Sequence, residues 1–516
     1  MVRDNRRAQG NSAPLLEALE DYARHERLGF HMPGHQQGLG LPPAFTRLLT
    51  SYGAAFDLTE LPGLDHLAAP SGSIEKSQKA MADSAGSVSA YYLVNGSTGG
   101  LEAAMLAMSG PDTVTVMPNC CHSAVYNGLV LTGSMPVILP SLVDPQWGLP
   151  LGLDKKAAES FIKQDTGAMG KALWVSLNPT YHGVMADLAW EKKVLGKKPA
   201  WGWLVDEAHG AHLPYLKSPD GKGRSLSAIS YAAHVVVQST HKMGTGLTQT
   251  GILHCNRTEL SSKLRQAVNL LQSSSPSYLL MASMDAWQAF LSDKGEQELA
   301  RLEKLAAGLA GQIRAIGGYR LWRDEAPAGY TIDPRKMTLS SKELGLSGFA
   351  LAEILRKEYS IDAEWAARDH VLFIINIGHS EDDAERLAIA LKNIQGNKNR
   401  AISTMESERG CEEKAGEGDE KEALIASLYH PGIQQGQPAI TPREAFFRER
   451  QRVKLEQAPG RLAAVAVAPY PPGIPLVFPG MEITKETVEA IGLCHKTGLP
   501  CTGLEESGGV LSIEVI

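Results

Sequence analysis

Cysteine is scarce in this chain. Six are spread over 516 residues (Cys120, Cys121, Cys255, Cys411, Cys494 and Cys501). Neither Cys120-Cys121 nor Cys494/Cys501 has the paired CxxC spacing of a zinc site, and the density is far below that of a disulfide framework. A reduced compartment and no bound metal are therefore expected. Long apolar runs are missing as well. The most apolar late stretch, 463–478, is broken by four prolines, and no stretch approaches the roughly eighteen apolar residues that would read as a membrane span. A surplus of basic residues is also absent, with 50 Lys+Arg against 57 Asp+Glu for a formal charge of −7. Phosphate-tracking proteins usually carry a basic excess, so nucleic acid is not expected as the main partner. The start, MVRDNRR, runs into polar residues where a secretory signal would place an apolar core, so a cytoplasmic location is expected.

What is present is an ordinary globular balance, 43% hydrophobic and 21% charged, enough to bury a sizeable core in two to four domains. From about residue 86 to 255 short β-rich runs alternate with helical patterns. Strands are predicted at 113–117, 136–139, 172–177, 202–205, 234–238 and 251–254, with helices at 101–108 and 154–163 among them. Such alternation favours an α/β fold with a mostly parallel sheet covered on both faces, and ligands in such folds gather at the carboxyl ends of the strands. A long helical stretch, 277–316, ends at Gly317-Gly318. A smaller α+β stretch follows, with a strand at 371–377 and a helix at 381–394. Residues 396–422 are charged and nearly free of large apolar residues, which reads as a linker. The resulting division is 1–60, an N-terminal segment; 61–300, a large domain; 301–395, a small domain; 396–422, the linker; and 423–516, a C-terminal unit.

Four short motifs sit where that sheet would converge them. Asn95-Gly-Ser-Thr-Gly-Gly100 precedes the helix at 101–108, so small residues and a helix N-terminus offer an anion site. Asn178-Pro-Thr-Tyr181 follows a strand and reads alone as a proline turn. Asp206 leaves another strand and could be a metal ligand, a helix cap or the partner of a protonated heterocycle. Ser239-Thr-His-Lys242 follows a third strand, where the lysine could be solvated or could form an imine. Taken together, the four supply a phosphate nest, a carboxylate for a pyridine nitrogen and an amine for an aldehyde. Those are the requirements of pyridoxal 5'-phosphate.

The chain resembles the Orn/Lys/Arg decarboxylases, fold-type-I pyridoxal-phosphate enzymes, and within them the shorter bacterial arginine/lysine type. The carrying motifs are FHMPGHQQG (30–38), LDHLAAPSGSI (64–74), NGSTGG (95–100), NPTYHG (178–183), VDEAHGAHL (205–213), STHKMGTGLTQTGILH (239–254), SSSPSYLLMASMDAW (273–287) and PYPPGIPL (469–476). The last, with Pro459-Gly-Arg461, is similar to the family's C-terminal domain, which ordinary aminotransferases lack. The resemblance implies an aspartate-aminotransferase-like large domain, an α+β small domain and a C-terminal α/β domain. It implies Lys242 as the Schiff-base lysine and Asp206 as the pyridinium partner. Ser97, Thr98, Ser239 and His241 are implied as phosphate ligands, with Asn178 and Thr180 also at the cofactor. His122 would stack on the ring, Ala208 would pack on its other face, and His209 would lie near the phenolic oxygen.

The activity implied is decarboxylation of a basic amino acid, arginine ahead of lysine or ornithine, by a homodimer or larger homo-oligomer. Glu482 and Asp65 are candidate partners for the substrate's distal cation. The family commonly has charged residues at Gln36, Asn119 and Ser123, and a PGE where Pro479-Gly-Met481 stands. These departures bear on the substrate more than on the cofactor. Two rival readings are an aminotransferase or other lyase, with Arg368 holding the α-carboxylate, and a non-catalytic regulatory homologue.

Overall fold

A computed structural model describes residues 22–24, 27–165, 170–217, 225–397, 438–469, 473–496 and 500–516. Nearly all of the 396–422 linker, together with Cys411 and Tyr470, Pro471 and Pro472 of the proline-rich motif, lies outside the described residues.

Seven strands form the central sheet: β1 (Ser89–Leu93), β2 (Val114–Pro118), β3 (Met135–Leu139), β4 (Ala172–Leu177), β5 (Trp201–Asp206), β6 (Val235–Gln238) and β7 (Gly251–Cys255). Their order across the sheet is β1-β7-β6-β5-β4-β2-β3. Every pairing from β6 to β3 is parallel, and only β7 runs against its two neighbours. The strands read as near-continuous apolar runs because both faces are covered. Alternate residues therefore enter different cores. Leu173, Val175, Leu204, Val235 and Val237 pack on one side, and Trp174, Trp203, Val205 and Val236 on the other. The six predicted strands all appear, each end within one residue of its expected place. The reading missed β1, whose only neighbour in the sheet is the antiparallel β7.

Helix boundaries followed their caps. The helix expected at 154–163 runs Lys155–Gln164, because the Asp154 side chain accepts from the N–H groups of Lys156 and Ala157. That expected at 101–108 starts five residues earlier, as α1 (Gly96–Met108). Gly99 and Gly100 of NGSTGG are thus helical, while Gly96 enters the helix at φ +67°, and the turn they suggested is the helix's own first turn. A second helix, α2 (Ser123–Thr132), follows β2.

The long helix α3 (Tyr278–Ile316) spans 39 residues behind a Ser277 cap. Met284, Trp287 and Leu291 lie in one core, and Leu299, Leu309 and Ile313 in another. At about 1.5 Å per residue it is some 58 Å long and carries the chain between the two. The second core lies under an antiparallel sheet of β8 (Arg320–Leu321), β9 (Lys336–Ser340), β10 (Trp365–Ala366) and β11 (Val371–Ile374), in the order β8-β9-β11-β10. The strand expected to reach 377 stops at Ile374.

C-terminal residues do not form a core apart. Val453, Val477, Phe478, Met481, Ile491 and Ile513 share one buried cluster with Leu101, Tyr126 and Leu129 of α1 and α2. The rings of Tyr126 and Phe478 lie 4.7 Å apart. This packing brings Gly473 onto the sheet's carboxyl edge, where the Ser123 N–H donates to its carbonyl (3.0 Å).

Candidate active site

A cavity of about 570 Å³ opens at the carboxyl ends of β2, β4, β5 and β6. Its floor is the first turn of α1. Asn95 caps that helix without a side-chain hydrogen bond, and Ser97 and Thr98 face the cavity. Behind them the buried Ser239 hydroxyl donates to Ser97 Oγ (2.6 Å). Gly251 has no room for a side chain there, since a Cβ would stand 3.1 Å from the Ser97 nitrogen. Three hydroxyls and a helix N-terminus at one spot match what a phosphate requires.

Asp206 ends β5, and its Oδ1 accepts from the Ala208 N–H (3.0 Å). Burial raises its pKa, while the Lys242 charge and that N–H pull the other way. Ala208 itself lines the cavity. Lys242 projects from the turn after β6 (α-helix Thr240–Met243). Burial lowers the pKa of its ammonium, with Asp206 and Glu364 opposing. His122 also lines the cavity and caps α2, its Nδ1 accepting from the Ala124 N–H (3.1 Å). Burial and then Lys242 take its pKa down to about 4. His241 Nδ1 contacts the Thr250 carbonyl (2.9 Å). A carbonyl only accepts, so the ring proton sits on Nδ1.

His209 lies between two amines, with Nε2 at 3.3 Å from Lys242 Nζ and Nδ1 at 2.8 Å from Lys336 Nζ. Thr180 reaches the wall while its Oγ1 accepts from the Val184 N–H. Asn178 does not. It is wholly buried, donating to Glu207 Oε1 (2.8 Å) and the Leu226 carbonyl and accepting from the Ala186 N–H. Its contribution is to pin the strand ends, and the assignment of Asn178 to the cofactor is corrected accordingly.

The guesses for a substrate-reading acid are also displaced. Glu482 is exposed and stands off the cavity wall. The Asp65 carboxylate is occupied by the N–H groups of His66, Ser71, Gly72, Ile74 and Glu75. Against the upward push of burial, those bonds bring its pKa down to about 2. The carboxylate that does share the wall with Asp206 is Glu364. It accepts from the Tyr181 hydroxyl (2.7 Å) and the Met32 N–H (2.9 Å).

No motif marked Glu364 or Lys336: Lys336 opens β9 after a turn and Glu364 sits at a bend just before β10, both far along the chain. Tyr181 and His182 stood inside NPTYHG and were passed over as turn residues. Among the altered positions only Ser123 reaches the cavity. Asn119 Oδ1 accepts from the Ser141 N–H, and Met481 is core.

The donor set fits a ring cofactor carrying one phosphate: hydroxyls at a helix N-terminus, a buried carboxylate with a single N–H partner, and an amine driven toward its neutral form. Fold and site together define a pyridoxal-phosphate-dependent enzyme of fold type I. Residues 13–315 match the major domain of the Orn/Lys/Arg decarboxylases, and residues 424–496 match their C-terminal domain. The chain belongs to that family.

Among curated relatives, the arginine decarboxylase of Bacillus subtilis is 30% identical over 503 residues, 96% of each chain. That of Halalkalibacterium halodurans is 31% identical over 96% of this chain and 95% of its own. The solved structure of the Escherichia coli constitutive lysine decarboxylase superposes with a TM-score of 0.75 at 21% identity, over 98% of this chain and 82% of that one.

Proposed function

We propose that the protein converts L-arginine to agmatine and CO₂, feeding polyamine synthesis in the cytoplasm as a homodimer or larger homo-oligomer. Support for arginine comes from the relatives bearing that name across nearly the whole chain. Support for decarboxylation over transamination comes from one feature of the wall: among the described residues no arginine lines the cavity. Arg368, the candidate for holding an α-carboxylate, is not on it. An arginine pair would stabilise the substrate carboxylate more than the transition state in which it leaves, and so would slow its loss.

When bound, pyridoxal phosphate supplies an amine-capturing aldehyde conjugated to an electron-accepting ring. Ser97, Thr98, Ser239 and His241 hold its phosphate in this reading, and His122 and Ala208 flank the ring. Asp206 keeps a negative charge beside the ring nitrogen in a poorly solvated site, where charge pairing is strong. In this reading Lys242 Nζ returns a proton to the α-carbon, and His209 Nε2 steadies that amine. Glu364 takes the guanidinium at the far end of the substrate, with the Tyr181 hydroxyl fixing its orientation.

The test is a mass-spectrometric product assay on pyridoxal-phosphate-loaded protein given arginine, lysine and ornithine separately, with Lys242→Ala as control. Agmatine formed by the wild type and lost in the control is expected. A keto acid, or no amine from any of the three, would overturn the reading.

A further inference from the structure

Lys336 opens β9 and is 1% exposed, so this long cationic side chain is enclosed by protein. Its Nζ lies 2.8 Å from His209 Nδ1 and 5.5 Å from the centre of the Tyr181 ring. Gly183 makes space for its stem: at φ +96°, a Cβ there would meet Lys336 Cβ at 2.9 Å. Two carboxylates, Glu364 and Asp333, act on Lys336, against the cations Lys242 and Arg335. Asp333 is in turn held by His212 (3.0 Å) and Arg335 (2.9 Å). The imidazoles of His182, His209 and His212 complete its titratable surroundings. Burial lowers the Lys336 pKa to about 8, so it is charged at neutral pH.

An ammonium can only donate, so His209 Nδ1 must accept. Burial first, then the neighbouring amines, push the His209 pKa well below its usual value, and the ring is neutral with one proton. That proton is left on Nε2, facing Lys242 Nζ 3.3 Å away. An N–H donor needs a lone pair opposite it, and Lys242 has one only as the uncharged amine.

We propose that Lys336 is a positioning residue: its ammonium fixes His209 as the Nε2–H tautomer, and His209 in turn holds Lys242 as the free amine able to attack a carbonyl. The proposal rests on Lys242 being the cofactor's attachment point. Removing the Lys336 charge has two effects of one sign. A cation near Lys242 disappears, and His209 becomes free to change tautomer and accept from a Lys242 ammonium. Both raise the Lys242 pKa.

The experiment follows the rate at which full-length, cofactor-stripped protein develops the visible absorbance of lysine-bound pyridoxal phosphate, as a function of pH. In Lys336→Met the midpoint is expected to rise by about one pH unit, slowing attachment about tenfold at pH values below the wild-type midpoint. Lys336→Arg, which keeps a donor-only cation, is expected to return the midpoint most of the way. A folded Lys336→Met protein with the wild-type midpoint would overturn the proposal. A wild type that never develops the band would remove it together with the cofactor reading, whereas agmatine formation leaves that reading standing whatever Lys336 does.

Nitrogen NMR of wild-type protein labelled at histidine supplies a result independent of whether the Met variant folds. With the His209 signals assigned by their loss in His209→Asn, a proton on Nε2 supports the relay and a proton on Nδ1 overturns it.

Discussion

Glu207 adjoins Asp206 and is wholly buried, yet among the described residues no cation pairs with it. Four groups donate to it: Asn178 Nδ2 (2.8 Å) and the Ala228 N–H (2.8 Å) to Oε1, the Ser227 hydroxyl (2.6 Å) and Gln238 Nε2 (2.7 Å) to Oε2. Burial raises its pKa to about 7, with those four donors offsetting part of the rise. An unfolded glutamate releases its proton near its ordinary 4.5.

The folded state therefore holds a proton that the unfolded state has lost between those two values. The resulting stabilisation is complete below pH 4.5, shrinks as pH rises and is gone above about 7. At about 1.4 kcal/mol per pH unit, the window amounts to roughly 3 kcal/mol. Glu207→Gln preserves the shape but cannot titrate, so its cost in exchanged hydrogen bonds is the same at every pH. Urea unfolding of both proteins at pH 5 and pH 8 isolates the effect, because Glu191, also buried and raised to about 7, is common to both. The wild type should lose roughly 2.5 kcal/mol more than the variant across that range, since part of the window is already crossed at pH 5. Parallel losses, within about 0.5 kcal/mol, would refute the assignment of a proton to Glu207 in the folded protein.

Two further outcomes follow from the cavity wall. Gly183→Ala should cost about 1–3 kcal/mol, measurable as a lowered urea midpoint, because the residue sits at φ +96° and its new methyl would press on the Lys336 stem. Its attachment kinetics should also move in the direction of Lys336→Met; an unchanged protein would show that the glycine is incidental. Glu364→Gln should raise KM for arginine about 10- to 100-fold, as expected for losing one charge-assisted partner of a guanidinium, with a smaller change in kcat. An unchanged KM would place the guanidinium elsewhere.

The parts legible in the sequence are those where one local signal and one tertiary role coincide. β6 reads as a strand because Val235, Val236 and Val237 must fill cores on both faces of the sheet, and the same run delivers Lys242 to the cavity. Asp206 was visible for a like reason: it ends an apolar strand, and although a carboxylate there can read alone as a cap, its place between the glycine-rich helix start and Lys242 marked it. Asn178 was misread because its position is right and its orientation is not. It ends a strand beside the site, but the buried Glu207 captures its amide, and nothing in the spacing of NPTY distinguishes a side chain turned outward from one turned to a neighbour.

Glu364 and Lys336 stayed hidden for a different reason. Each is an ordinary charged residue near the end of a short strand, and each becomes chemically unusual only when α3 carries the small sheet back against the large one. Lys336 then sits against a glycine 153 residues earlier in the chain and a histidine 127 residues earlier. Both partners belong to motifs: Gly183 ends NPTYHG and had no purpose assigned from the sequence, while His209 stands inside VDEAHGAHL and was expected only to touch the cofactor. Lys336 packs between that glycine and that histidine, so a motif residue with no ligand of its own, such as Gly183, can mark where a distant element will dock.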